Sequence, residues 1–265
     1  MIATRSKRWL RRVVPAEVRH LLREMVHGPR VDEVELVHRL LRDGPGGRVM
    51  IDVGAHKGAA LEAFARDGWK VVAFEPDPDN RGELEAFCRG LTNVAIDRRA
   101  VSNREVDELP WFRSDLSSGI SSLEAFHESH EPAGCVEVTT LARALEQHKI
   151  ERVDFLKIDA EGTDLFVLQG FPWNWQKPGV VICEFEDEKT EDLGYRFTDL
   201  ADFLIAQGYE ILVSEWYPIT RYGGNHRWRR FAPYPCQLVS PRAWGNLIAV
   251  RDSDAFAQLR TIAQG

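Results

Sequence analysis

Short apolar segments typical of β-strands alternate with helix-like segments along most of this chain, and that alternation restricts the fold more than any other feature. A strand, a helix and a second strand usually form a parallel unit, because the helix carries the chain back across the sheet. The sequence therefore predicts an α/β fold with a doubly wound, mostly parallel sheet of seven strands and helices on both faces. The predicted strands cover residues 48–53, 70–75, 94–97, 153–158, 180–184, 210–214 and 246–251.

Most segments between these strands are predicted to be helical, and the exceptions are residues 104–138 and the insertion at residues 216–244. Residues 104–138 are predicted to be irregular, apart from strand-like pieces at 109–112 and 135–138. Ligands of parallel sheets bind beyond the carboxyl ends of the strands, so the candidate site residues are those that directly follow a strand. The predicted helices cover residues 31–42, 59–66, 78–89, 140–148, 163–169, 198–207 and 253–263.

The charge of the chain is distributed unevenly. The 265 residues carry a net charge of −7, yet residues 1–30 hold eight Lys and Arg against two Glu, which is +6. This basic N-terminal segment is predicted to be helical, while residues 31–265 form one domain. Two interpretations stay open for the segment. It packs on the domain or on a second subunit, or it makes a peripheral contact with anionic lipid. Its apolar stripe consists of Val18, Leu21, Leu22 and Met25.

Charge, apolar runs and cysteine spacing argue against several classes of function and location. The acidic body of the chain argues against binding to nucleic acid. No apolar run reaches the length of a membrane span, and the N-terminus lacks the apolar core of a secretory signal. The four cysteines, Cys88, Cys135, Cys183 and Cys236, are scattered, as expected for free thiols in a reducing cytosol. The chain is therefore expected to be cytoplasmic.

The first predicted strand runs into a glycine-rich loop that is a candidate cofactor site. Gly54 and Gly58 allow a tight turn and close approach of a ligand. The dinucleotide fingerprint G-x-G-x-x-G is not matched, because His56 occupies its middle position. Asp52, just before the first glycine, is a poor neighbour for a pyrophosphate but a good one for a cationic amine.

The second predicted strand ends in Glu75, which is placed to accept hydrogen bonds from ribose hydroxyls. A site with an adenosine-like ligand, additional negative charge and no phosphate cradle suits S-adenosylmethionine better than NAD. The residues of this predicted cofactor site are Asp52, Gly54, His56, Gly58 and Glu75.

Six segments, in order over residues 49–171, resemble the FkbM-type family of S-adenosylmethionine-dependent methyltransferases, which belongs to the Rossmann-like class. The resemblance implies methyl transfer from S-adenosylmethionine, usually to an oxygen of a sugar or polyketide-type acceptor, and an antiparallel last strand. Arg99 and Ala100, after the third strand, are expected to flank the adenine. The six segments are VMIDVGAHKG, VVAFEPDPDN, RRAVSN, SGISSL, VTTL and VDFLKIDAEGTDLFVLQGF.

The resemblance also implies that the end of the fourth strand faces the transferred methyl group. Asp159 is then placed to accept the hydroxyl proton or to hold the acceptor. Lys157 lies on the same side of the strand and would keep that carboxylate ionised. Glu161 would bind substrate or favour the start of the next helix. Glu184, on the fifth strand, completes the predicted catalytic group.

Acids that follow neighbouring parallel strands can bind Mg²⁺ through their oxygens. Some sugar O-methyltransferases of this class use such a metal, so the resemblance allows one here, with Asp159, Glu184 and Glu186 as ligands. The alternative is that Lys157 pairs with a carboxylate and braces the sheet, while the remaining acids are solvated.

An aromatic and basic insertion at residues 216–244 is a candidate lid for a glycan acceptor, a lipid-linked one included. The alternative is a loop that packs its own aromatic side chains. His127 and His130 lie in another loop that would reach the site. Two other functions stay open: an NAD-dependent oxidoreductase or epimerase, against which His56 and Asp52 argue, and a non-catalytic protein that binds S-adenosylmethionine.

Overall fold

A computed structural model of the chain describes residues 31–44 and 47–264, so the predicted helix in the basic N-terminal segment lies outside the described residues. Eight strands form one large sheet. They are β1 (Val49–Val53), β2 (Lys70–Phe74), β3 (Val94–Asp97), β7 (Phe155–Ile158), β8 (Val180–Glu186), β9 (Glu210–Trp216), β10 (Trp228–Pro233) and β11 (Trp244–Val250). Their spatial order is β10-β9-β11-β8-β7-β1-β2-β3.

The direction of the strands confirms the predicted doubly wound sheet. The pairs β1–β2, β2–β3, β1–β7 and β7–β8 are parallel. Strand β11 is antiparallel to both of its neighbours, β8 and β9, as the resemblance implied for the last strand. The sheet has one strand more than the seven predicted, because part of the insertion, β10, pairs with β9 and forms the edge of the sheet.

Helices cover both faces of the large sheet, because the side chains of each buried strand alternate between two apolar cores. One core receives Met50 of β1 and lies under α1 (Glu33–Leu41), α2 (Glu62–Arg66), α3 (Pro78–Phe87) and α8 (Ser253–Gln264). The opposite core receives Ile51 and Val53 of the same strand. It lies under α4 (Leu141–Gln147), α5 (Asp164–Gln169) and α7 (Phe197–Ala206). A short helix, α6 (Asp187–Thr190), directly follows β8.

The prediction that residues 104–138 are mostly irregular is wrong, because much of this segment belongs to a second sheet. Strands β4 (Ala100–Val101), β5 (Val106–Ser114) and β6 (His130–Thr139) form this three-stranded sheet, with β5 and β6 antiparallel. Most side chains of β5 and β6 are partly or fully exposed, so the sequence shows little of the apolar alternation that marks a strand. The small core of this sheet consists of Ala100, Trp111, Leu123 and Val138.

Among the described residues, no helix combines the length and the apolar character needed to cross a bilayer.

Candidate active site

A cavity of about 320 Å³ lies beyond the carboxyl ends of β1, β2, β7 and β8, where the topology of the sheet predicts a ligand site. Its volume is within the usual range for small-molecule sites. Most of the predicted site residues line it: Gly54, His56, Glu75, Arg99, Ala100, Asp159, Glu161 and Glu184. Four predicted residues are not among its lining: Asp52, Gly58, Lys157 and Glu186.

Packing restricts both positions of the β1 loop that carry glycine. Gly54 has a φ of +73°, and a Cβ there would lie 1.9 Å from the backbone oxygen of Asp159. Gly58 has a φ of +91°, and a Cβ there would lie 2.8 Å from the ring of Phe87. The loop is therefore held between the end of β7 on one side and helix α3 on the other.

Lys157 is buried and ties three groups together. Its Nζ donates a hydrogen bond to the backbone oxygen of Gly54 at 3.0 Å. It also lies 3.3 Å from a carboxylate oxygen of Asp52 and 3.4 Å from one of Asp159. Burial alone would lower the pKa of Lys157, but the two carboxylates outweigh it and raise that pKa above its usual value. The lysine is therefore charged where it lies beside Asp159.

Asp52 is outside the cavity lining, which differs from the expectation that it meets the amine of the cofactor. It is a register partner of Lys157 on the neighbouring parallel strand, and the two side chains therefore share one face of the sheet. Asp52 is fully buried, and this burial raises its pKa despite the neighbouring lysine. Its carboxylate therefore contacts the site only indirectly, by holding the ammonium group of Lys157.

Glu75 directly follows β2 and faces the cavity with its carboxylate held by two backbone groups. The N–H groups of His56 and Asp77 each donate to one of its oxygens at 2.8 Å. Burial raises the pKa of Glu75 to about 7, although both hydrogen bonds oppose the shift. Each oxygen keeps a further lone pair for a ligand hydroxyl.

Arg99 is fixed next to the cavity by Asp97. Its guanidinium donates to both carboxylate oxygens, at 2.9 and 2.6 Å, and His148 contacts one of those oxygens at 3.0 Å. Burial would raise the pKa of Asp97, but these hydrogen bonds prevail and hold it well below its usual value. Arg99 and Ala100 therefore form a rigid part of the wall near Glu75.

A second buried lysine, Lys189 of α6, lies among the acids of β7 and β8. Its Nζ lies 2.6 Å from Glu161, 3.0 Å from Glu184 and 2.9 Å from Glu186. No sequence pattern singles out this lysine, because the acidic run around it has the appearance of a solvated loop. Burial raises the pKa of Glu161 to about 7, against the attraction of Lys189.

The predicted Mg²⁺ ligands are not supported by this arrangement. Glu186 is outside the cavity lining and binds Lys189 and the hydroxyl of Tyr222 instead. Within the described ranges, the carboxylates that approach one another closely enough to share an ion are Asp159, Glu161 and Glu184. Lys189 already contacts the last two of these. The donor set is therefore occupied by an ammonium group of the chain itself.

Residues 117–123, here called the wall segment, form a side of the cavity to which sequence reasoning assigns no role, although SGISSL belongs to the resemblance. The side chain of Ser118 lies 2.9 Å from Nε2 of His56. The amide of Asn80 donates to the backbone oxygen of Ser118 at 3.1 Å. This segment therefore connects the β1 loop and helix α3 across the cavity. Its lining residues are Ser117, Ser118, Gly119, Ile120, Ser121 and Leu123.

The two loop histidines considered as bases are outside the cavity lining. His130 contacts the backbone oxygen of Ile120 at 2.8 Å, and His127 contacts the hydroxyl of Ser129 at 2.7 Å. Both therefore support the loop that carries the wall segment. His226 of the insertion is the histidine that joins His56 at the cavity surface.

The insertion contributes one side of the cavity, through Ile219, Tyr222, Gly223, His226 and Trp244. The ring of His226 packs edge-on against Trp244, with 5.1 Å between ring centres. The indole N–H of Trp244 donates to the backbone oxygen of Tyr217 at 3.0 Å.

Tyr217 connects Trp244 to two arginines. Arg227 and Arg229 stack on its ring, with their guanidinium carbons 4.8 and 4.6 Å from its centre. Neither arginine forms an ion pair with a carboxylate in the part of the chain that the structure describes. Two guanidinium groups without a carboxylate partner thus stack on the residue whose backbone oxygen binds the indole of Trp244.

Comparison with known proteins identifies one sequence family. A model of the Methyltransferase FkbM domain matches residues 52–211, more than half of the chain. A search of curated proteins found no match to this sequence.

Several solved structures resemble the chain in its general architecture. A precorrin-6Y C5,15-methyltransferase from Geobacter metallireducens is 14% identical, with a TM-score of 0.44, over 82% of this chain and 86% of its own. An rRNA methylase from Streptococcus thermophilus is 10% identical, with a TM-score of 0.42, over 83% of this chain and 93% of its own. Likeness at this level identifies no activity or substrate for this chain.

Proposed function

Because the chain belongs to the FkbM methyltransferase domain family, we propose that it transfers a methyl group from S-adenosylmethionine to a hydroxyl oxygen of a sugar or glycan-containing acceptor. One observation carries the proposal. The carboxylate of Asp159 is 40% exposed in the cavity, which extends from Glu75 on one side to Tyr222 and Trp244 on the other. A proton acceptor therefore lies between a surface suited to a nucleoside and a surface suited to a sugar.

The residues of the cavity fit S-adenosylmethionine in shape and in charge. Glu75 would accept hydrogen bonds from the ribose hydroxyls, and the apolar side chains of Phe74, Trp111 and Leu123 would cover the adenine. The cofactor supplies an electrophilic methyl group on a positively charged sulfur. The partly exposed carboxylate of Asp159 would face that positive charge.

Asp159 would accept the proton of the acceptor hydroxyl. Its carboxylate lies 3.4 Å from the buried ammonium of Lys157, which holds it in position. Lys157 in turn is held by Asp52 and by the backbone oxygen of Gly54. The base is thus oriented by groups that do not touch the acceptor, an arrangement that keeps its position fixed during proton transfer.

The aromatic side of the cavity supports a carbohydrate acceptor. Tyr222 and Trp244 offer ring faces on which a sugar can pack. Arg227 and Arg229 stack on Tyr217, whose backbone oxygen accepts from Trp244, and would bind a phosphate or carboxylate on the same acceptor. We therefore expect an anionic glycan, such as a phosphorylated or lipid-linked one, to be a better acceptor than a neutral glycan.

Calorimetric titration of the full chain with S-adenosylhomocysteine is the first test, followed by a screen with radiolabelled S-adenosylmethionine. The screen compares neutral glycans with glycans that carry a phosphate. We expect micromolar binding and label transfer to an acceptor hydroxyl. In Asp159→Asn, transfer should fall by about 100- to 10,000-fold while the affinity for S-adenosylhomocysteine is kept.

Asp192→Asn is the matched control, because Asp192 is an exposed carboxylate that does not line the cavity. It should leave transfer unchanged. Absence of cofactor binding would refute methyl transfer itself. Normal turnover in Asp159→Asn would remove only the assigned base.

A further inference from the structure

The ammonium group of Lys189 is enclosed by carboxylates and aromatic rings at the wall of the cavity. Its side chain is 3% exposed, and its Nζ lies within 3.0 Å of oxygens of Glu161, Glu184 and Glu186. The rings of Phe126 and Tyr222 close its remaining sides, with centres 5.2 and 5.8 Å away. A lysine is rarely buried so completely unless its charge is needed.

The acids around this lysine have the spacing of a divalent-metal site. One oxygen each of Asp159, Glu161 and Glu184 lies within 4.8 Å of the others. Three carboxylates at such a spacing would suit Mg²⁺ or Mn²⁺, which are bound through oxygens. However, the oxygens of Glu161 and Glu184 that contact Lys189 do so at 2.6 and 3.0 Å. A divalent ion at this place would be repelled by the ammonium group.

The backbone around Glu161 and at the end of β8 holds Lys189 and its carboxylate partners in place. Glu161 has a φ of +50°, a conformation that residues other than glycine rarely adopt. Lys189 lies in the short helix that follows β8, while Glu184 and Glu186 lie two residues apart on that strand and share one face. Lys189 therefore connects the end of β8 to the turn after β7 at the point where Asp159 enters the cavity.

We propose that Lys189 is the resident cation of this site: its ammonium takes the place of a divalent metal ion, and it positions Glu161 and Glu184 beside Asp159. The consequence is a site that needs no metal. The part that concerns methyl transfer rests on the proposed function, whereas the part that concerns cation binding does not. Lys189 is a positioning residue, since it acts through the two glutamates.

Titration with Mn²⁺, followed by electron paramagnetic resonance of the free ion, tests the cation claim on the full chain without any acceptor. The wild-type protein should bind no Mn²⁺ at this site. Lys189→Met removes the ammonium and should create a site for about one Mn²⁺ per chain. A second substitution, Glu184→Gln, should remove that new site.

Two controls match these variants. Lys189→Arg keeps a positive charge and should behave as the wild type. Lys57→Met removes a lysine that pairs with Glu83 on the surface and should create no Mn²⁺ site. Circular dichroism establishes that each variant is folded.

Several results would overturn the proposal. Tight Mn²⁺ binding by the wild type that Glu184→Gln abolishes would mean that a metal shares the site with Lys189. A folded Lys189→Met that gains no Mn²⁺ would mean that the ammonium does not stand in a cation position. If Lys189→Met does not fold, Mn²⁺ titrations of the wild type and of Glu184→Gln test the proposal. Tight binding by the wild type that is lost in Glu184→Gln would refute it, and absence of such binding would support it. Failure of S-adenosylhomocysteine binding, by contrast, would affect only the proposed function.

Discussion

At the scale of single residues, Glu75 is expected to make cofactor affinity depend on pH. Its pKa before ligand binding is about 7 because it is buried, and hydroxyl donors favour its ionised form. Affinity for S-adenosylhomocysteine should therefore be highest above pH 7 and fall as the pH drops below it, by at most about tenfold per pH unit. Calorimetry across this range measures the effect. Glu75→Gln should bind more weakly and without this dependence, and a flat wild-type profile would contradict the prediction.

Gly54 offers a test of how the β1 loop is held. Gly54→Ala would bring a Cβ to 1.9 Å from the backbone oxygen of Asp159, in addition to the strain of a positive φ. Gly68→Ala is the matched control, because Gly68 has a φ of +81° but a Cβ there would meet nothing within 4 Å. We expect losses in the free energy of unfolding of about 1 kcal/mol for Gly68→Ala and more than about 3 kcal/mol for Gly54→Ala. Equal losses in denaturant unfolding would refute the packing role.

The residues that sequence reasoning locates correctly are those that directly follow strands of the large sheet. Glu75 and Asp159 are identified because such positions converge at one edge of a parallel sheet. Asp52 is expected to meet the amine of the cofactor, but the register sets it beside Lys157 and outside the cavity lining, which a motif within one strand does not reveal. Lys189 is not predicted, because the position of a lysine among loop acids depends on contacts between β7 and β8 that no local pattern records.

At the scale of structural elements, the wall segment is expected to control retention of the cofactor. Asn80 holds this segment through the backbone oxygen of Ser118. Asn80→Ala should weaken S-adenosylhomocysteine binding about three- to tenfold, the range expected for one hydrogen bond. Asn103→Ala is the control, because its amide donates to exposed Gln169 and does not line the cavity. Identical affinities for both variants would show that the wall does not depend on this contact.

The elements themselves are predictable to different extents. The buried strands of the large sheet are recognised from their apolar runs, with ends that differ from the structure by a few residues. Strands β5 and β6 are recognised only in part, at residues 109–112 and 135–138, because most of their side chains are exposed. Strand β10 is not recognised, because its first residues, Trp228, Arg229 and Arg230, show no apolar alternation. These strands are specified by their partners rather than by their own periodicity.

At the scale of the whole molecule, the basic segment 1–30 is expected to decide whether the protein binds anionic membranes. This segment carries +6, so the remainder carries −7 − 6 = −13 and would be repelled by an anionic surface. Deletion of residues 1–30 should abolish co-sedimentation with vesicles that contain phosphatidylserine, and it should leave S-adenosylhomocysteine affinity unchanged. Equal sedimentation of the full and shortened chains would favour the other interpretation, in which the segment packs on protein.

The contacts of Lys157 have a consequence for how the two halves of the site can change over evolution. One ammonium group contacts Asp52 under the β1 loop, the backbone oxygen of Gly54 within that loop, and Asp159, the proposed base. Asp52 and Asp159 therefore share Lys157 as a partner. The changes in the free energy of unfolding caused by substitutions at the two positions should not be additive. A substitution at Asp159 selected for a new acceptor would also change the contacts of Lys157 with the β1 loop. Substitutions in the aromatic insertion do not affect Lys157 and can accumulate without that epistatic constraint.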